Sequence, residues 1–288
     1  MSNNKGLLKI SDLPNSIIEE ISNIIHAFSA PLIKVSLDRF GKETISLIGS
    51  GTFITVGDAA GILTAEHVVK LLDDSSFLGP AKFLGLPIRR HEHRYVIERE
   101  YLRIHRIARG TVDSEGPDLA FIGIPSAELG TIKAVKSFYN LQQNRDRMLS
   151  SPPELTLGVW AICGWPDIQT RSEKPSQNFY DIKGFHSLCG FGGIGCIYVV
   201  GEYDYLDFDV EYDCSSDIPE SFGGVSGGGI WQVPLVQMPN GEMKPQEYLL
   251  SGVAFYQTKK SGLHRSIKCH ARKSVYEIAY RAIKEIRS

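Results

Sequence analysis

Ser226 stands among glycines, in the run Gly223-Gly224-Val225-Ser226-Gly227-Gly228-Gly229 that leads into a strand-like Ile230-Trp231. Glycine lets a backbone turn tightly enough to aim consecutive N–H groups at one point beside a hydroxyl. A hydroxyl attacking a carbonyl needs that arrangement, because negative charge develops on the carbonyl oxygen. Two upstream segments supply what a serine nucleophile lacks. His67, in Thr64-Ala65-Glu66-His67-Val68-Val69, follows an apolar strand and offers an imidazole, a group able to take a hydroxyl proton and return it to a leaving group. Asp118, in Gly116-Pro117-Asp118-Leu119-Ala120, stands just ahead of another apolar strand. Taken singly, His67 reads as a strand-end histidine and Asp118 as a turn aspartate. Together, in the order His, Asp, Ser, they assign the attack to Ser226, base and acid work to His67, and orientation of the imidazole to Asp118. The N–H groups of Gly224 and Ser226 are the candidate oxyanion donors.

The elements that must hold these residues are mostly strands. Residues 15–28 place Ile17, Ile18, Ile21, Ile24, Ile25 and Phe28 at helical spacing, with Asn15 or Ser16 available as a cap. Short β-branched runs follow at Leu32–Leu37, Thr44–Ile48, Thr52–Val56, Gly61–Thr64 and Leu119–Ile124, a spacing that suits a barrel or sandwich. A second set runs over Leu157–Gly164, Phe179–Phe185, Gly195–Val200, Tyr205–Tyr212, Ile230–Gln237 and Tyr248–Tyr256, with Pro239-Asn240-Gly241-Glu242 as a hairpin turn. Ala271–Ile286 closes the chain as an amphipathic helix, with Val275, Ile278, Ala279, Ala282 and Ile286 on one face. The expected domains are an N-terminal helical extension (1–30), a β-lobe (31–132), a mixed-charge linker (133–156), a second β-lobe (157–262) and a C-terminal helix (263–288).

In Gly51-Thr52-Phe53, Ile62-Leu63-Thr64-Ala65-Glu66-His67, Asp118-Leu119-Ala120 and Gly224-Val225-Ser226-Gly227-Gly228 the chain resembles the trypsin/chymotrypsin-like serine peptidases, and among them the bacterial branch that includes the HtrA proteases. The resemblance spans roughly residues 30–260. It implies an all-β fold of two antiparallel β-barrels of the chymotrypsin type, here with an added N-terminal and C-terminal helix. It also implies endopeptidase action on protein or peptide in the cleft between the barrels, with no cofactor and no metal. Val225 stands where digestive members carry the aspartate that binds a newly cut N-terminus, so that activation switch is not expected. Gly229 stands in place of a proline. Phe255 and Tyr256 fall on the substrate-pairing strand, and Glu220 falls where an acidic pocket base would select Lys or Arg. About 60 residues follow Ser226, so no PDZ domain is expected.

Gly224-Val225-Ser226-Gly227-Gly228 also fits the G-x-S-x-G elbow of α/β-hydrolases. That elbow must enter a helix, and three glycines after the serine oppose one at about 1 kcal/mol each. A catalytically silent member used as a binding module is the alternative from another class.

Composition limits the remaining choices. Apolar content of 42% suits a globular protein, and a net charge of −2 opposes bulk nucleic-acid binding. No apolar run reaches membrane-spanning length and no secretory leader is read at the N-terminus, so the expected setting is cytoplasmic, with free thiols at the five cysteines. Residues 202–220 carry eight acids and no Lys or Arg, and Leu206, Phe208, Val210 and Tyr212 alternate with Asp207, Asp209, Glu211 and Asp213. Residues 259–273 run the other way, six cations without an acid, and read as a solvated loop entering the last helix. His91-Glu92-His93 and His186 with Cys189 lack zinc-site spacing partners. The isoleucine-rich first helix packs on the barrels or docks a regulatory partner.

Overall fold

The computed structural model describes residues 13–76, 79–87, 94–110, 116–169, 171–173, 182–184, 187–211 and 218–286. The first helix, α1 (Asn15–Ala27), buries Ile21 and Ile25 completely. It starts after Pro14 rather than on a side-chain cap. The N–H groups of Ile17 and Ile18 reach the Pro14 carbonyl, and Asn15 and Ser16 sit inside the helix.

The first lobe contains β1 (Ser29–Leu37), β2 (Glu43–Val56), β3 (Ala59–Thr64), helix α2 (Glu66–Asp73), β4 (Ala81–Leu86), β5 (Tyr95–Glu98), β6 (Arg103–Ala108) and β7 (Leu119–Gly123). Their order in the sheet is β5-β4-β1-β2-β3-β7-β6. Among the described residues this sheet is not hydrogen-bonded into the closed barrel that the resemblance implies. Its two edges, β5 and β6, are consecutive in the chain and joined by a single 3-10 turn, Arg99–Tyr101. The turn is thus the covalent link between the two edges of an open sheet.

β2 also differs from expectation. Thr44–Ile48 and Thr52–Val56 form one 14-residue strand through Gly49, Ser50 and Gly51. These glycines make room and do not mark a turn. A Cβ on Gly49 would lie 2.5 Å from the Val68 side chain, and one on Gly51 would lie 2.2 Å from that of Ile62.

The expected linker is structured. Between the lobes come α3 (Ser126–Lys133), β8 (Tyr139–Asn140, parallel to β2) and α4 (Leu141–Ser150), whose start is capped by the Asn140 side chain.

The second lobe contains β9 (Val159–Gly164), a ribbon of β10 (Arg171–Glu173) and β11 (Ile182–Gly184), β12 (Leu188–Val200), β13 (Tyr203–Glu211), β14 (Gly229–Val233), a ribbon of β15 (Leu235–Gln237) and β16 (Met243–Pro245), β17 (Leu249–Gln257) and β18 (His264–His270). Six of these close a barrel in the order β12-β13-β18-β17-β14-β9. Of the expected strand at Phe179–Phe185, only Ile182–Gly184 lies within the described residues. The lobe does not end at residue 262, because β18, read from sequence as a basic loop, is the barrel's sixth strand. Its cations explain the misreading. Asp207 faces Lys268, Glu211 faces His264, and Ser266 donates to Asp209 across the β13–β18 ladder. The acidic and basic stretches answer each other.

The closing helix has π-type hydrogen bonding over Ser274–Ala279 and continues as α5 (Tyr280–Glu285). The wider turn brings Tyr276 and Ile283 into the buried stripe beside Val275, Ile278 and Ala279, with Ala282 only half-buried and Ile286 packed at the edge of the core. Each lobe has its own core, and a third lies between them. That third core joins Ile21 and Ile25 of α1, Trp231 of β14, and Val275 and Tyr276 of the closing helix. No helix among the described residues is long and apolar enough to cross a membrane. The whole is a mainly β arrangement of two antiparallel lobes, the second a closed six-stranded barrel, with a helix at each end.

Candidate active site

The first two turns of α2 position His67. β3 ends at Thr64, Ala65 stays extended, and the helix begins at Glu66, so His67 is its second residue. Backbone N–H groups at a helix start have no partner within the helix. Asp118 supplies one: its Oδ1 accepts the His67 N–H at 3.0 Å, while its Oδ2 accepts from the ring Nδ1 at 2.5 Å. One carboxylate thus caps the helix and fixes the imidazole that the helix carries. Burial alone would raise the Asp118 pKa. The His67 ring bond, the charge that ring can carry and the His67 and Glu66 N–H groups outweigh burial and hold it below the usual range.

The far end of α2 is tied down as well. The fully buried Lys34 donates from Nζ to the carbonyls of Leu71 (3.2 Å) and Asp74 (2.5 Å). A cation is favoured at that end of a helix dipole. Arg106 binds Glu66, at the helix start, and Asp73, at its end. Behind Asp118 lies a residue that sequence reading did not single out. His270, fully buried, accepts the Asp118 N–H on Nε2 at 2.9 Å.

Ser226 sits in a loop whose carbonyls are nearly all occupied. Phe222 O accepts from Val225 N (3.0 Å), Gly223 O from Asp167 N (2.7 Å), Val225 O from Gly228 N (2.8 Å) and Ser226 O from Ser50 N (2.8 Å). In a trans peptide the N–H points opposite to the carbonyl. With the carbonyls of Gly223 and Val225 held, the N–H groups of Gly224 and Ser226 face the other way, and neither has an acceptor among the described residues. Two glycines are obligatory here. Gly224 (φ +85°) would place a Cβ 2.5 Å from Trp165 O, and Gly227 (φ +87°) would place one 2.0 Å from Ser50 O.

The two halves meet over Gly49, whose absent Cβ would lie 2.5 Å from Val68, next to His67, and 3.0 Å from Ser226 O. Ser226 Oγ makes a long hydrogen bond to Phe255 O, 3.4 Å, and none to His67. The His67 side chain is 40% exposed, and its Nε2 has no hydrogen-bond partner among the described residues.

A cavity of about 300 Å³ opens beside Ser226. Phe222, Val225, Ala254, Phe255 and Ile267 give it an apolar lining, and Tyr256 and Gln257 edge it. Gln257 Oε1 accepts from Phe222 N (2.8 Å) and from Arg265 (3.1 Å), tying one wall to the other. Phe255 and Tyr256 line the cavity. Glu220 does not. It is exposed, its carbonyl accepts from Arg265, and it is not among the lining residues, since Phe222 and Val225 turn inward in its place. Among the described residues no group of three or more His, Cys, Asp or Glu could hold a metal ion. His91, Glu92, His93 and His186 lie outside those residues.

Sequence reading also passed over Ser50 and Gln257. Ser50 had a usable signal, a lone hydroxyl between two glycines in mid-strand. Gln257 directly follows the Phe255-Tyr256 pair.

No protein-family model matches the chain, and no curated protein matches it. Solved structures do. It is similar to the HtrA-type protease AlgW with a decapeptide at 14% identity and a TM-score of 0.46, over 93% of this chain and 67% of that one. A second structure of that protease, a variant with the decapeptide, gives 12% identity and a TM-score of 0.45, over 94% and 67%. At these values no residue role is carried across from them. Both of these similar structures are of one HtrA-type protease.

Proposed function

We propose that this chain is a serine endopeptidase. The observation that carries the reading is the double engagement of His67 by Asp118, at the backbone N–H and at Nδ1, which leaves Nε2 as the ring's free nitrogen on a half-exposed face. With Nδ1 protonated, Nε2 has the lone pair of a base. The Ser226 hydroxyl, swung from its weak contact with Phe255 O toward His67, loses its proton to Nε2 as Oγ attacks the scissile carbonyl. The N–H groups of Gly224 and Ser226 receive the oxyanion, and Asp118 stabilises the imidazolium. His67 then protonates the leaving amine. An acyl-enzyme forms on Ser226, and water activated by the same nitrogen hydrolyses it.

The cavity supports an apolar side chain before the cleaved bond. The Lys or Arg preference expected from Glu220 has no carboxylate behind it among the described lining residues. The four described cysteines are free, including Cys163 and Cys189, which face each other across β9 and β12. We read this as an enzyme of a reducing, intracellular setting.

The bond from Ser226 Oγ to Phe255 O, in place of one to His67, favours a second reading, a silent fold that binds peptide. A fluorophosphonate probe separates the two. The expected result is labelling of the wild type, none in Ser226→Ala, and labelling slowed by several orders of magnitude in His67→Ala. Absence of wild-type labelling, with peptide still bound, leaves the silent module.

A further inference from the structure

We infer that Ser50 is a positioning residue for this reaction, its hydroxyl holding the Gly224–Val225 peptide that adjoins the donor-bearing Gly223–Gly224 peptide. The inference rests on the serine peptidase reading. Ser50 lies in the middle of β2, fully buried and 174 residues from the loop it touches. Across the β1–β2 ladder it faces Pro31, which has no N–H to give. The Ser50 carbonyl is therefore released to another partner. The Ser50 carbonyl accepts from Thr64 Oγ1 at 2.7 Å, and its N–H donates to Ser226 O at 2.8 Å.

The side chain has a single hydrogen-bonding arrangement. Ser50 Oγ accepts from the Trp165 N–H at 2.9 Å, so its own proton goes to Gly224 O, 2.7 Å away. Asp167 N holds the peptide before Gly224, and Ser50 Oγ holds the peptide after it. Between them they fix both planes that meet at a glycine of φ +85°. Glycine has the fewest internal restraints of any residue, so its N–H direction is set from outside. Without the Ser50 hydroxyl, Gly224 O and Trp165 N each lose a partner. The Gly224–Val225 plane is then held only by Val225 N on Phe222 O, and its rotation about Gly224 pulls on the adjoining peptide and turns the Gly224 N–H off the point where the oxyanion forms. A misplacement of about 1 Å near reacting atoms costs about 100-fold in rate.

The test uses the full chain and a chromogenic peptide with an apolar residue before the cleaved bond. Ser50→Ala is expected to lower kcat about 10- to 100-fold with KM within about twofold, below the loss from removing a donor outright. Affinity for a peptide boronate, whose tetrahedral adduct fills the oxyanion position, is expected to fall by the same factor. Affinity for the uncleaved peptide, compared in Ser226→Ala with and without Ser50→Ala, is expected to stay unchanged. Ser50→Cys, with similar volume and a weaker donor, is expected to fall between wild type and Ser50→Ala, and serves alone should Ser50→Ala not fold. A kcat within twofold of wild type in either variant overturns the inference, as does a parallel loss of boronate and uncleaved-peptide binding. A wild type that neither labels nor cleaves overturns the peptidase reading and this inference with it.

Discussion

The ring of His270 packs against Tyr205 and Phe255, at centroid distances of 5.2 and 4.9 Å, and holds the Asp118 N–H on Nε2. Its proton therefore sits on Nδ1, which is buried without a partner among the described residues. Burial is the dominant cause that pushes its pKa down to about 4, against opposing contributions from Asp118. A histidine kept neutral in the fold but free to charge when unfolded, near pH 6.5, makes the unfolded chain bind more protons below that pH. Its contribution is intact above pH 6.5 and is lost as pH falls toward 4, at most about 3 kcal/mol in all. Urea unfolding at pH 7.5, 5.5 and 4.5 is expected to show that decline, with a shallower slope in His270→Gln.

Sequence alone could not reach His270, because nothing local ties residue 270 to residue 118. His67, Asp118 and Ser226 were legible for the opposite reason. Each ends or precedes a strand recognisable from its own neighbours. Glu220 shows the limit of counting back from a nucleophile, because the path of the loop, with Phe222 and Val225 turned inward, decides which side chain reaches the cavity.

At the scale of elements, the existence of strands was readable and their continuity was not. Alternation marks both halves of β2, yet Gly49, Ser50 and Gly51 look like a break until β3 and α2 are laid against them. β18 was hidden because a row of cations resembles solvated chain until β13 sets acids opposite. Two glycines make these positions testable. Gly49→Ala, at a crowded strand position, is expected to lose about 1–3 kcal/mol and to slow fluorophosphonate labelling, since the displaced neighbours are Val68 and the Ser226 carbonyl. Gly130→Ala, inside α3 with nothing within 4 Å of the added carbon, is expected to gain up to about 1 kcal/mol with labelling unchanged. Thermal melts alongside labelling rates check both.

Across the whole molecule, the third core binds the lobes together. Trp231 is enclosed by Phe28 and Tyr139, with ring centroids 5.3 and 5.4 Å away, and Tyr276 Oη reaches both Tyr139 Oη and Leu250 O. α1 and the closing helix enter that core with strands of the second lobe, so neither helix is an ornament on a finished pair of sheets. Amphipathic spacing predicted that both helices bury a face. That they share one core could not be read from spacing, since it depends on which surfaces the sheets leave uncovered.

The contact between Ser50 and Gly224 also bears on the order of events as the chain folds. Its partners are 174 residues apart, and closing so long a span comes at an entropic cost that nearby contacts do not face. Pairing within each lobe is then expected to come first, and the Ser226 loop to gain its geometry only once both lobes have docked. In refolding from urea, the far-UV signal is expected to return ahead of fluorophosphonate reactivity. A chain in mid-assembly would then be full of strands and chemically mute, with the reactivity proposed for Ser226 arriving last.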